Sequence, residues 1–308
     1  MSRTLSVFLN SDRIYVAAFE PTAKGLALVY LNSTESPFDP EFPDDDRSVL
    51  AAQELAIYIE DAGAVSGATI CLPAESALIR LIPAKQDMTK DELAKLVNLE
   101  TRSAFSQFDP SAFYSRVVPL APRLDSRQSM LAIMVQKSYV NACEKLFDGT
   151  NIPVLNFDIS QLNAHNAFIY NYPEQHDKTV AILGIQNQFI DVSIIQNQRP
   201  LYYNLVSYTS PEEIGMICEN EFTKIMTDYA GFIDSAYLFG LGLTKPMLET
   251  AQQTLMGLVM ESGRANAFRM VSTKLSDRDR QYCSATAHIY MPCVGAVLPP
   301  YHETIKLN

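Results

Sequence analysis

No run in this 308-residue chain approaches the ~20 consecutive apolar residues that a bilayer-spanning helix needs. Tryptophan is absent, histidine occurs four times, and the five cysteines show no Cys-x-x-Cys spacing. His165, His176, His288 and His302 are scattered, without acids at ligand spacing, so no metal site is expected. His165, on an Asn-rich helix, reads as a surface or capped residue. Basic residues are in deficit, with 24 Lys and Arg against 35 Asp and Glu and a net charge of −11. That balance excludes the clustered cations that a phosphate backbone demands, so no nucleic-acid partner is expected. The longest basic cluster, Arg264 to Arg280, is interleaved with acids and reads as a solvated helix face. None of G-x-S-x-G, G-x-x-x-x-G-K-S/T or H-E-x-x-H occurs, and no catalytic cluster stands out.

What is present is an ordinary folded composition, 47% hydrophobic and 19% charged. The amino terminus, MSRTLSVFLNSDRIYV, meets polar residues too soon for a signal peptide, which implies a cytoplasmic chain. LSVFLNS, RIYVAAF and GLALVYLNS read as three strands, the last two joined by a turn at Ala23 to Gly25. After the acidic loop SPFDPEFPDDD, a helix over Arg47 to Asp61 places Val49, Leu50, Leu55, Ile57 and Ile59 on one broad face, with Asp46 as its N-cap. ATICLPA is a short, doubly buried strand.

A second pattern then interrupts the first. Ala77 to Pro83 is a strand. Asp87 to Ser106 is a helix in which Thr89 and Glu92 form a capping box and Leu93, Leu96, Val97, Leu99 and Phe105 form a stripe. Ala112 to Leu120 and Ser129 to Val135 are strands separated by the polar loop APRLDSRQ, and Tyr139 to Phe147 is a helix. VLNFDIS and QLNAHNAFIYNY add a returning strand and helix. Pro173 to Lys178 reads as a linker. Beyond it KTVAILGI, FIDVSIIQN and RPLYYNLVSY repeat the opening meander, followed by a helix over Pro211 to Tyr229, which suggests a duplicated fold. AYLFGLG leads into a helix with Pro246 in its first turn. Met256 to Thr273 reads as helix, HIYMPCVGAVL as a last buried element, and YHETIKLN as a mobile polar end.

Two lobes that each open with a three-stranded meander and a helix resemble the α/β actin-like (ASKHA) ATPase fold. The inserted strand-helix-strand-strand unit resembles that of the type IV pilus assembly protein PilM family and, more distantly, of FtsA. IPAKQDMTKDELAKLVNLETRSAF carries the likeness, with Asp87, Met88, Asp91, Glu92, Leu93 and Glu100 fitting the family's helix pattern. SMLAIMVQKSYVNACEKLF and IPVLNFDISQLNAHNAF are similar to its following strand–helix pairs. The resemblance implies a first lobe over 1–172 with the module inserted at about 77–148, and a second lobe over 177–308.

Actin-like ATPases grip a magnesium nucleotide with two hairpins that supply glycine and aspartate, and with a glycine-rich strand-to-helix turn. Here Asn10, Ser11 and Asp12 stand at the first hairpin, with no glycine. Leu183 stands near the place of the second acid, followed by Gly184, Gln186 and Asn187. Gly240 and Gly242 preserve the third element, and they also have a plain reading as a tight turn without a ligand. Asp158 matches a family aspartate, with bonding to the next helix start as an equal reading. These departures imply a pseudo-ATPase with weak or absent ATP binding and no metal. The alternatives are an active ATPase or phosphotransferase and a polymerising FtsA-like adaptor. The PilM likeness further implies a cytoplasmic scaffold, peripheral to the inner membrane, that binds the cytoplasmic tail of a PilN-like single-span membrane protein. Leu78, Ile79, Leu81, Leu93, Val97 and Phe113 are its candidate peptide groove.

Overall fold

The computed structural model describes residues 3–23, 25–85 and 87–308. Met1, Ser2, Lys24 in the turn expected at Ala23 to Gly25, and Gln86 in the IPAKQDM motif lie outside the described residues. In chain order the elements begin with strands β1 (Arg3–Leu9), β2 (Ile14–Thr22) and β3 (Gly25–Ser33), helix α1 (Asp46–Ala62) and strand β4 (Val65–Leu72). The module follows as β5 (Ala77–Pro83), α2 (Lys90–Ala104), β6 (Phe113–Pro119) and β7 (Ser129–Gln136). Then come α3 (Lys137–Glu144), β8 (Val154–Ile159) and α4 (Ser160–Asn171). The second meander is β9 (Thr179–Ile185), β10 (Phe189–Gln196) and β11 (Arg199–Ser207), followed by α5 (Glu213–Ile225), β12 (Ser235–Phe239), α6 (Lys245–Leu255) and β13 (Glu261–Arg264). The chain closes with β14 (Ser272–Thr273), α7 (Asp277–Thr286), α8 (Met291–Ala296) and β15 (Ile305–Lys306).

The first compact unit comprises residues 1–74, 138–172 and 266–300. Its six-stranded sheet runs β14-β3-β2-β1-β4-β8. The meander β1–β3 is antiparallel, and β4 and β8 then extend it in parallel. Helix α1 is capped by Asp45, one residue before the expected cap, whose side chain accepts from Ser48 N at 2.6 Å. That bond holds the Asp45 carboxyl below its ordinary pKa. Of the broad face expected on α1, only Leu55 and Ile59 are buried; Val49, Leu50 and Ile57 face solvent. Helix α4 crosses α8 so closely that a Cβ on Gly295 would lie 1.6 Å from Asn163 O. The crossing encloses α4, so His165 is 1% exposed, not a surface residue.

The second unit comprises residues 75–137, 173–265 and 301–308 and contains two sheets. One is five-stranded, β11-β10-β9-β12-β13, and α5 and α6 supply side chains to its apolar core. The other is the module's own four-stranded sheet, β15-β6-β7-β5, with α2 on one face. The capping box at Thr89 and Glu92 forms, and Leu93, Val97 and Thr101 face the sheet. Leu99 and Phe105, expected in that stripe, point to solvent.

The division of the chain differs from the sequence expectation in two respects. Residues 77–137 of the module expected at about 77–148 in the first lobe group with the five-stranded body, whereas 138–148 stay in the first unit. Two sets of contacts hold them there: Leu81 packs against the apolar core of that body, and in the polar loop after β6 Ala121 N donates to Pro200 O at 2.7 Å while the Arg123 guanidinium sits 4.4 Å from the Tyr229 ring. Residues 266–300, expected in the second lobe, return to the first sheet, where Ser272 and Thr273 pair with Ala27 and Leu28. Met256 to Thr273 is not a helix. Its Glu261–Arg264 stretch continues the parallel ladder along β12, in keeping with the low helix propensity of Ser262 and Gly263. YHETIKLN, expected to be mobile, contributes β15.

Candidate functional site

In the first unit, the β1–β2 hairpin closes through Asn10 N donating to Arg13 O at 3.1 Å. Asn10 is buried, and its Oδ1 accepts from Ser11 N at 2.6 Å and Ser11 Oγ at 3.2 Å. The side chain that a phosphate-binding loop would replace by glycine is thus consumed in shaping the turn. Asp12 Oδ2 takes the Arg13 Nε at 3.2 Å, whereas its buried Oδ1 has no hydrogen-bond partner. Burial raises the Asp12 pKa against the opposing pull of Arg13.

In the second unit, the β9–β10 hairpin closes through Gln186 N donating to Phe189 O at 2.9 Å. The turn after β12 packs directly on this hairpin. Gly240 has φ +108°, and a Cβ there would lie 2.3 Å from Ile185 O. Gly242 donates its N–H to Ile185 O at 2.9 Å, and its Cβ would lie 2.5 Å from Gln186 O. Tyr208 Oη donates to the same Gln186 carbonyl. These glycines are small because backbone meets backbone, so protein contacts alone account for both. Thr244 then caps α6 by accepting from Met247 N.

Asp191 is not among the candidates drawn from the sequence. This residue lies on β10 directly opposite Gly184 and is 0% exposed. Tyr203 Oη donates to its Oδ1 at 2.7 Å, and Oδ2 has no hydrogen-bond partner. Burial pushes the Asp191 carboxyl up to about 7, opposed by the Tyr203 hydrogen bond and reinforced by Glu75. The available signal was a lone acid inside the otherwise apolar FIDVSII strand. Leu183 is fully buried in the apolar core. Asp158 spends its Oδ1 on Ile159 N at 2.6 Å, one residue short of the expected helix start. Among the described residues, no group of three or more His, Cys, Asp or Glu is arranged to hold a metal ion. The five cysteines are buried free thiols.

The six groove candidates fall on two faces of the module sheet. Leu78 pairs with Met134 and shares the α2 side with Leu93, Val97 and Phe113. Leu93 and Val97 are each 1% exposed and form the module's core. Ile79 and Leu81 alternate to the opposite face, where Leu81 packs against the apolar core of the five-stranded body. What the sheet does offer is an edge. β5 has a strand partner only on its β7 side among the described residues.

The chain has the actin-like ATPase fold. Its structure resembles that of PilM: against the solved "PilM-PilN type IV pilus biogenesis complex" the TM-score is 0.71 at 14% identity, covering 96% of this chain and 99% of that one. A Bacteroides thetaiotaomicron protein "with actin-like ATPase fold and unknown function" gives 0.53 at 13% identity, over 86% of this chain and 91% of its own. The ethanolamine utilization protein EutJ from Carboxydothermus hydrogenoformans gives 0.52 at 9% identity, over 97% and 90%. No protein-family model matches the sequence, and no curated protein does. At these identities the likenesses establish the fold. No helix among the described residues is long and apolar enough to cross a membrane.

Proposed function

We propose that this chain is a non-catalytic, actin-like docking scaffold of a type IV pilus or related secretion machine. Its ligand is an extended peptide, the cytoplasmic tail of a PilN-like single-span membrane protein, which holds the chain at the inner membrane. The observation that carries this reading is the open edge of β5. An unpaired edge presents alternating N–H and C=O groups that a peptide strand satisfies, and half-buried Ile79 and Arg80 on opposite faces read its side chains. The likeness to PilM supports it. The consumption of Asn10 in its own turn, and of Gly240 and Gly242 in backbone packing, supports a pseudo-ATPase.

The test is titration of this chain with the tail peptide of a PilN-like protein encoded beside it. Micromolar binding is expected, weakened at least about tenfold by Ile79→Asp or Arg80→Glu in variants that keep the native circular dichroism. Unchanged affinity in both variants sinks the β5 reading. Leu93 and Val97 are unsuitable probes, because changing them attacks the core.

One observation favours nucleotide binding instead. Asp12 Oδ1 is buried without a hydrogen-bond partner, as the acid of a metal-orienting hairpin would be. The adjacent Arg13 guanidinium opposes a divalent cation there.

A further inference from the structure

The module's other edge strand, β6, is already occupied by this chain's own last residues. Ile305 pairs with Val117 and Lys306 with Arg116 in an antiparallel ladder. Leu307 N donates to Ser115 O at 2.9 Å. The Asn308 side chain then grips the β6 main chain from both sides, accepting from Ser115 N at 2.8 Å and donating to Phe113 O at 2.6 Å. Ile305 and Leu307 point to one face and pack against the core that contains Val117, Met134 and Leu93. The whole arrangement is that of a bound peptide: main-chain bonds for affinity, and two apolar anchors at alternate positions for selectivity.

Three features mark the segment as a cap and not as a core strand. Its ladder is only two residues long, and both anchors are only partly buried. Lys306 also stands directly opposite Arg116, and like charges in that relation destabilise a cross-strand pair. An acid in the place of Lys306 would convert that repulsion into attraction.

We propose that the β6 edge is a strand-docking site held closed by Tyr301–Asn308, and that its ligand in trans is an extended peptide with apolar residues at alternate positions and an acid between them. The segment is thus a tethered competitor. The inference does not rest on the reading of the β5 edge, which is a different surface.

The test uses the full chain and a fluorescently labelled peptide of residues 301–308 carrying Lys306→Glu. In an Ile305→Asp, Leu307→Asp variant the cap loses its anchors, and the peptide is expected to bind with micromolar affinity. The unaltered chain is expected to bind it at least about tenfold more weakly, because the tethered segment competes at high effective concentration. The unchanged Lys306 peptide is expected to bind the variant roughly two- to fivefold more weakly than the Glu form. A folded variant that binds neither peptide overturns the proposal, and equal affinities for the two peptides overturn its acidic component. Loss of cooperative unfolding in the variant means that the segment belongs to the core, and it also overturns the proposal. Hydrogen exchange on the unaltered chain gives an independent check. The Leu307 amide is expected to exchange about a hundredfold or more faster than those of Leu131 and Ile133 on β7. Exchange at the same rate as β7 contradicts a removable cap.

Discussion

Replacing Asp191 by asparagine should remove a pH dependence from the stability of this protein. The carboxyl is 0% exposed, its Oδ2 has no partner, and burial raises its pKa from 3.8 to about 7. A folded-state pKa above the unfolded value means that this group contributes most to stability below about pH 4, and that the contribution is lost as pH rises through about 7. At 1.36 kcal/mol per pKa unit, the loss between about pH 4.5 and about pH 7.5 is on the order of 3 kcal/mol. Asparagine keeps the shape and an acceptor for Tyr203 Oη but does not titrate. Its amide adds a cost that is independent of pH, so the slope decides and not the offset. Urea unfolding of the wild type and Asp191→Asn, measured at matched pH values, provides the comparison. Their difference in unfolding free energy should change by about 3 kcal/mol across that range, in the direction that favours the variant as pH rises. Titrating groups that do not interact with Asp191 act in both proteins and cancel, whereas Glu75, which reinforces the Asp191 shift, is part of the effect measured. Parallel pH profiles would refute the picture of a carboxyl buried without a second partner.

Tyr203→Phe withdraws the hydrogen-bond donor from Asp191 and should cost about 1–3 kcal/mol by equilibrium unfolding, with the pH-dependent loss displaced to higher pH. Gly242→Ala forces a Cβ against the Gln186 carbonyl and should destabilise by about 1–3 kcal/mol, seen as a lower urea midpoint. Gly240→Ala adds the strain of a positive φ to a similar clash and should cost more. Leu93→Ala, in the module core, should cost about 2–5 kcal/mol, against about 1 kcal/mol for loss of the α2 cap in Thr89→Ala.

The elements that the sequence disclosed are those whose cause is local. The Thr89–Glu92 capping box, the two meanders and the strand-helix-strand-strand module were all legible, because capping chemistry and alternation act within a few residues. What was hidden depends on distant partners. YHETIKLN looks polar and loose until Arg116 and Val117 supply the other half of its ladder. The polar loop APRLDSRQ gave no sign that Ala121 and Arg123 would find Pro200 and Tyr229, and those contacts help decide which body holds the module. The helix expected over Met256 to Thr273 is absent because its Glu261–Arg264 stretch pairs in parallel with β12. Periodicity misled on α2, where Leu93, Leu96 and Val97 of the expected stripe meet the module core but Leu99 and Phe105 face solvent. At the hairpins the residue types were visible, but not that Gly240 and Gly242 face the carbonyls of Ile185 and Gln186.

Isothermal titration of this chain with Mg-ATP at high protein concentration tests the central claim most directly. A scaffold whose hairpin and glycine turn are already filled by their own contacts should give no binding tighter than about the millimolar range, with or without magnesium. Micromolar affinity that depends on magnesium would contradict the account.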